Sequence, residues 1–133
     1  MDGNAAYPGG FANRERDKSR IRVMIVDDSL VARTVLSRIV LAEADIDIVA
    51  KATTGEMAIE RLSETAVDVI LLDHSLPDAT TEDLLQAVRL DSTAPETYIA
   101  LLSAFDFEPR QVGDRAIRPD VCIPKPVRQQ QGR

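Results

Sequence analysis

Residues 21–29 read Ile-Arg-Val-Met-Ile-Val-Asp-Asp-Ser. A short apolar run that stops abruptly at two acids has the length and β-branched content of a buried strand. Ser29 can cap a following helix, and Leu30, Val31, Thr34, Val35, Ser37, Ile39 and Val40 suit one that reaches about Ala44. The pattern then repeats outward along the chain. Ile46-Asp47-Ile48-Val49-Ala50 reads as a second strand. Thr53-Thr54-Gly55-Glu56 matches a capping box, so a helix starts near Thr54 and ends near Glu64, with Met57, Ala58, Ile59 and Leu62 inward. Val67-Asp68-Val69-Ile70-Leu71-Leu72 is a third strand ending at Asp73, and Pro77 marks the loop after it. The spacing predicts a helix from about Thr80 to Leu90 with Leu84, Leu85 and Val88 inward, closed off by Pro95. Thr97 to Leu102 is a fourth strand ending at Ser103. A weaker pattern over 108–116 reads as a short helix. Val121-Cys122-Ile123 is the fifth strand, with Lys125 just past it. Strands alternating with helices imply an α/β fold: a doubly wound, five-stranded parallel sheet with right-handed crossovers.

The chain has 133 residues, which suits one domain, with 44% hydrophobic and 29% charged residues. Its net charge of −6 disfavours nucleic-acid binding through a basic surface. No apolar run is long enough to span a membrane, and the N-terminal stretch lacks the apolar core of a secretory signal. The single cysteine, Cys122, has no internal disulfide partner, and a reducing cytoplasm is the simplest setting for it. Residues 1–20, rich in Gly, Asn, Arg and Asp, show neither strand nor helix periodicity and read as a flexible tail. The domain is expected over 21–126, and 127–133 as a polar tail or linker stub.

The chemistry is suggested by position. Asp27, Asp28, Asp73, Ser103 and Lys125 each fall at or just beyond the carboxyl end of a strand. Parallel strands share that edge, and open sheets bind ligands there. Three carboxylates gathered in one cleft repel one another unless a cation sits among them. An all-oxygen site suits Mg²⁺ or Mn²⁺, with room left for phosphate oxygens. Lys125 can pair with a phosphoryl oxygen, Ser103 can donate to another, and Asp73 can serve as a carboxylate nucleophile. Singly, each residue has a plainer explanation as a turn acid, a helix cap, a strand-end hydroxyl or a solvated lysine. Their joint order is much harder to explain in that way.

The stretches 21–29 (IRVMIVDDS), 67–77 (VDVILLDHSLP), 100–104 (ALLSA) and 123–126 (IPKP) together resemble the receiver domains of bacterial response regulators. The resemblance covers about residues 20–126 and is closest to the receiver half of chemotaxis protein-glutamate methylesterases. It implies a flavodoxin-like receiver fold and a set of roles. Asp28 would hold the metal directly and Asp27 partly through water, with the backbone carbonyl of Ser75 completing the protein ligands. Asp73 would accept the phosphoryl group, Ser103 would be the switch hydroxyl, and Lys125 would contact the phosphoryl group. Pro126 would follow a cis peptide bond. A histidine kinase or histidine phosphotransfer protein would be the donor, with a downstream protein or output domain as receiver of the signal.

The chain also departs from that pattern. Thr80 and Thr81 stand where the family usually carries Asp-Gly, so the loop after Asp73 can be shaped differently. Cys122 replaces the usual switch aromatic. Phe105, two residues past Ser103, is a bulky group expected near the phosphoryl entrance. Only eight residues follow Lys125, and they form no amphipathic helix, so the final helix of the family is expected to be missing or truncated. A second copy of the chain or the N-terminal tail could cover that face. His74 is expected at an exposed rim, Cys122 as a buried small side chain, and Lys51, Arg33, Arg38, Arg61 and Arg89 as solvated. Three other functions remain open: a receiver-like binding module that works without phosphorylation, a small hydrolase of the same architecture, and the regulatory fragment of a larger protein such as a methylesterase.

Overall fold

Five apolar runs become five parallel strands: β1 (Ile21–Val26), β2 (Ile46–Ala52), β3 (Val69–Asp73), β4 (Tyr98–Ser103) and β5 (Val121–Pro124). The computed structural model describes residues 20–91, 95–104, 108–112 and 114–125. The expectations for the N-terminal tail, Phe105, Pro126 and the segment 127–133 lie outside the described residues. The sheet order is β2-β1-β3-β4-β5. The chain therefore leaves β1 to one side for β2 and returns to the other side for β3. That reversal is where such sheets open a cleft at their carboxyl ends.

Side chains alternate across the sheet, as a pleat requires. Met24, Val26, Ile70, Leu72, Ile99 and Leu101 face one way and form the larger core with Ala58, Leu84, Leu85 and Val88 from the helices. Val23, Ile25 and Leu102 face the other way and pack on Leu36 and Val40. The central strands β1, β3 and β4 are thus apolar on both faces, which is why their sequences read as continuous runs rather than alternations.

Three helices cover these faces: α1 (Leu30–Leu41), α2 (Gly55–Glu64) and α3 (Thr81–Gln86). All three start on a hydroxyl cap. Ser29 accepts from Ala32 N, Thr54 from Met57 N, and Thr80 from Asp83 N. The capping box expected at 53–56 does not form. Thr54 is the cap, one residue later than the box requires, and Thr53 bonds the Met57 sulfur instead. Asp78 takes over the missing function by accepting from Gly55 N at 2.8 Å and Glu56 N at 3.2 Å. Gly55 is needed at this junction. A Cβ there would stand 2.9 Å from Leu84 Cδ2 and 3.0 Å from the Ala79 Cβ.

Two helix expectations are corrected. The helix over 80–90 divides into α3 and one widened turn, Ala87–Asp91. The helix over 108–116 is only a 3-10 turn at Pro109–Gln111. The apolar content there is too sparse to hold a longer helix against the sheet, since Val112 is its only buried residue among the described ones. No helix among the described residues is long and apolar enough to cross a membrane.

The arginine expected to be solvated at position 89 is instead 12% exposed and firmly bonded. It donates to the carbonyls of Pro95, Thr97 and Arg118 and to the Asp120 carboxylate. Asp120 also accepts from Ile99 N at 2.7 Å. This knot fastens the widened turn to the entries of β4 and β5.

Candidate functional site

The strand register sets the site. Val26 lies beside Leu72, and Asp73 beside Leu102, so the ends of β1, β3 and β4 fall level. Asp27 follows directly from β1, and its N–H donates to Ala52 O at 3.0 Å, which keeps the chain in line with the sheet for one more residue. Asp73 and Ser103 are the last residues of β3 and β4. Lys125 is the first residue past β5, and its N–H donates to Ser103 O at 2.9 Å.

The acids converge as the sequence indicated. Asp27, Asp28 and Asp73 each offer a carboxylate oxygen within 4.8 Å of the others. Asp27 and Asp73 are buried, and Asp28 is exposed at the mouth. Lys125 Nζ stands 3.2 Å from Asp27 Oδ2 and 3.2 Å from Asp73 Oδ1. Ser75 bonds Asp73 as well: its N–H donates to Asp73 Oδ1 at 3.1 Å and its hydroxyl to the same oxygen at 3.2 Å. Ser103 is buried at the strand end beside them.

Charge in this cleft is incompletely matched. Burial pushes the Asp27 carboxyl above its ordinary value, and the charge of Asp73 adds to that. The Ser29 N–H and the Lys125 ammonium pull the other way without winning. For Lys125, burial alone would lower the value. The attraction of Asp73 and Asp27 and the hydrogen bonds to both outweigh it, so the ammonium is held more firmly than usual. Asp73 Oδ2 is buried and accepts no hydrogen bond. A buried carboxylate oxygen without a donor is costly unless some other positive group meets it. A hard divalent cation supplies such a group, and the three acids are the oxygen donors it prefers. The residues present therefore fit Mg²⁺ or Mn²⁺.

The family model for the response regulator receiver domain matches residues 23–133. The chain belongs to the response regulator receiver domains. A protein-glutamate methylesterase/protein-glutamine glutaminase of Azospirillum brasilense is 31% identical over 125 residues, which takes in 92% of this receiver and 30% of that protein. The response regulator domain of Thermotoga maritima CheB is similar in structure, with a TM-score of 0.68 at 27% identity, covering 80% of this chain and 79% of that one. A chain from the complex of the CheA3 P1 domain with CheY6 of R. sphaeroides gives a TM-score of 0.67 at 27% identity, covering 81% and 84%. The receiver spans less than a third of the length of the methylesterases it matches.

Several residues around the receiver's cleft were invisible in the sequence. Arg33, expected to be solvated, donates from Nη1 to Asp27 O at 2.8 Å and braces the turn that carries Asp27 and Asp28. Ser29 N donates to Asp27 Oδ1 at 3.0 Å, a local turn contact that Asp-x-Ser spacing could have indicated. His74, expected at an exposed rim, is half-buried, and its Nδ1 lies 2.7 Å from Thr81 Oγ1. Cys122 is half-buried against the larger core rather than fully buried.

Proposed function

We propose that this receiver takes a phosphoryl group onto Asp73 with the help of Mg²⁺ or Mn²⁺ and passes the signal on by changing a protein-binding surface. The single observation that carries the reading is the clustering of Asp27, Asp28 and Asp73 with Lys125 Nζ 3.2 Å from two of them. Asp27, Asp28, Asp73 and the Ser75 carbonyl would hold the metal. When bound, the cation neutralises charge on the phosphoryl oxygens and on the acids.

The protein's own groups do the rest by placement. Ser75 N, Ser75 Oγ and Lys125 Nζ all attend Asp73 Oδ1, which fixes the carboxylate plane while Oδ2 keeps its lone pairs. An Asp73 oxygen forms the new O–P bond as the donor's P–N bond breaks, and the electron pair leaves with the donor imidazole, which takes up a proton. Lys125 pairs with a phosphoryl oxygen once Asp73 is esterified and its own charge is lost. Ser103, at the adjoining strand end, donates to another.

The donor would be a phosphohistidine on a histidine kinase or a phosphotransfer protein. The likeness to the chain from the CheA3 P1–CheY6 complex supports this class of partner. Leu30 and Val31, 69% and 59% exposed in the first turn of α1 beside Asp28, offer an apolar footing for it. That partner class and a Cys122 outside any disulfide suit a cytoplasmic setting.

Incubation with acetyl phosphate and Mg²⁺ followed by intact-mass measurement tests the reading. One phosphoryl adduct is expected on the wild-type chain and none on Asp73→Ala. An adduct that persists in Asp73→Ala, or none on the wild type, overturns it.

The methylesterase relatives favour a second, compatible reading: the receiver is the regulatory part of a larger response regulator. Phosphorylation would then alter the surface around β4 and β5 that meets the output partner. Amide hydrogen exchange that is identical with and without the phosphoryl group would leave the domain with no output and remove this reading.

A further inference from the structure

The loop between β3 and α3 starts at Asp73 and carries Ser75, so its shape decides where the Ser75 carbonyl points. Thr81, the first residue of α3, is only 3% exposed. Its hydroxyl donates to His74 O at 3.0 Å. A hydroxyl has one proton, so its 2.7 Å contact with His74 Nδ1 is one in which Thr81 accepts from Nδ1–H. His74 N in turn donates to Leu102 O at 2.8 Å. His74 is therefore held by its N–H, its carbonyl and its ring, two of these by one threonine side chain. Further along, Asp78 fastens the same loop to the start of α2 through Gly55 N and Glu56 N.

From this arrangement we infer that Thr81 is a positioning residue for the metal. Its hydroxyl clips the His74 peptide, and that peptide's geometry fixes the adjoining Ser75 before any cation arrives. The resembled family usually has glycine at this place, which has no side chain to make such a clip. In this chain the loop is pre-ordered by a side chain, so less freedom is lost when the metal binds. Replacing a group that orients a metal's direct ligands typically costs about 10–100-fold in metal affinity or activity.

The inference rests on the reading of Asp73 as a metal-dependent phosphoacceptor, and its test separates the two. Mn²⁺ is titrated into the whole chain and followed by electron paramagnetic resonance, with Mg²⁺-dependent labelling by acetyl phosphate in parallel. Thr81→Val keeps the shape and removes the hydroxyl, Thr81→Ala serves if that variant does not fold, and Thr81→Ser retains the hydroxyl. The hydroxyl-free variant is expected to raise the half-saturating metal concentration roughly tenfold. The labelling rate at saturating metal stays close to wild type, and Thr81→Ser restores the midpoint. A merely structural role would lower the melting temperature without moving the midpoint. A folded hydroxyl-free variant with an unchanged midpoint, or a Thr81→Ser variant shifted equally, overturns the inference. A wild-type chain that neither binds Mn²⁺ nor takes up the phosphoryl group would instead sink the underlying reading.

Discussion

At the amino-terminal edge of the sheet, three acids each have their own guanidinium. Arg20 forks onto Asp47 at 2.8 and 2.6 Å, Arg22 onto Asp68 at 3.0 and 3.0 Å, and Arg89 reaches Asp120 at 2.7 Å. At the carboxyl edge, three acids share the ammonium of Lys125, which touches two of them. At the first edge each of these acids meets a guanidinium, two of them through planar, two-pronged hydrogen bonds. The second keeps a surplus of negative charge in a partly buried cleft. One rim serves to hold strand ends in register, and the other is left electrostatically unfinished, as the proposed binding of a cation and a phosphoryl group would require.

Variants at the two edges should therefore respond in opposite ways. The largest effect is expected at Arg89. Arg89→Met leaves the Pro95, Thr97 and Arg118 carbonyls without this donor and should destabilise the protein by about 2–4 kcal/mol, read by urea unfolding. A loss under about 1 kcal/mol would show that water replaces the guanidinium freely. At the other edge the sign reverses. Burial raises the folded value of Asp27 above the ordinary 3.8, so the folded state holds that proton more tightly than the unfolded chain. Its contribution to stability is greatest while Asp27 is protonated and falls as the pH rises through the folded value. Asp27→Asn should thus stabilise the metal-free protein at neutral pH by about 1 kcal/mol, while weakening its response to Mg²⁺. Thermal melts in EDTA and in Mg²⁺ check both halves, and a lower melting temperature in EDTA would contradict the comparison.

The smallest effect belongs to Asp68. The side-chain hydrogen bonds from Arg22 hold its carboxyl below 3.8, against the modest opposing effect of burial. Its stabilisation is complete above the unfolded value and drains away as the pH falls below it toward the folded one. The pair is partly exposed, so about 0.5 kcal/mol is at stake. Asp68→Asn should lower the neutral plateau of the stability curve by about 0.5 kcal/mol and flatten the limb below 3.8, where variant and wild type converge. An unaltered acid limb would show that the ion pair contributes nothing.

The parts of the molecule differ in how well the sequence announced them. The central strands were legible because both of their faces are covered, which turns them into uninterrupted apolar runs such as 23–26 or 99–102. Asp27, Asp73 and Ser103 were legible because those runs stop at them. Once the strands are parallel and level, convergence follows from topology. Arg89 was not legible, since its partners lie up to 31 positions away and its charge alone argues for solvent. The Thr81–His74 clip was hidden for a related reason: polar residues in a loop carry no period, and only the fold brings the hydroxyl under the peptide it holds. The 3-10 turn at Pro109–Gln111 shows the converse error, in which scattered apolar residues were read as a helix with too little to bury.

The hydrogen bond from Lys125 N to Ser103 O ties the main chains of two site residues on neighbouring strands. The hydroxyl at 103 and the root of the lysine stem are consequently joined like two teeth on one gear. Any shift that carries the end of β4 toward the cleft drags the start of the Lys125 side chain along with it. A substitution that loosened the end of β5 would be felt at the hydroxyl on β4, although no side-chain atom at either position had been altered.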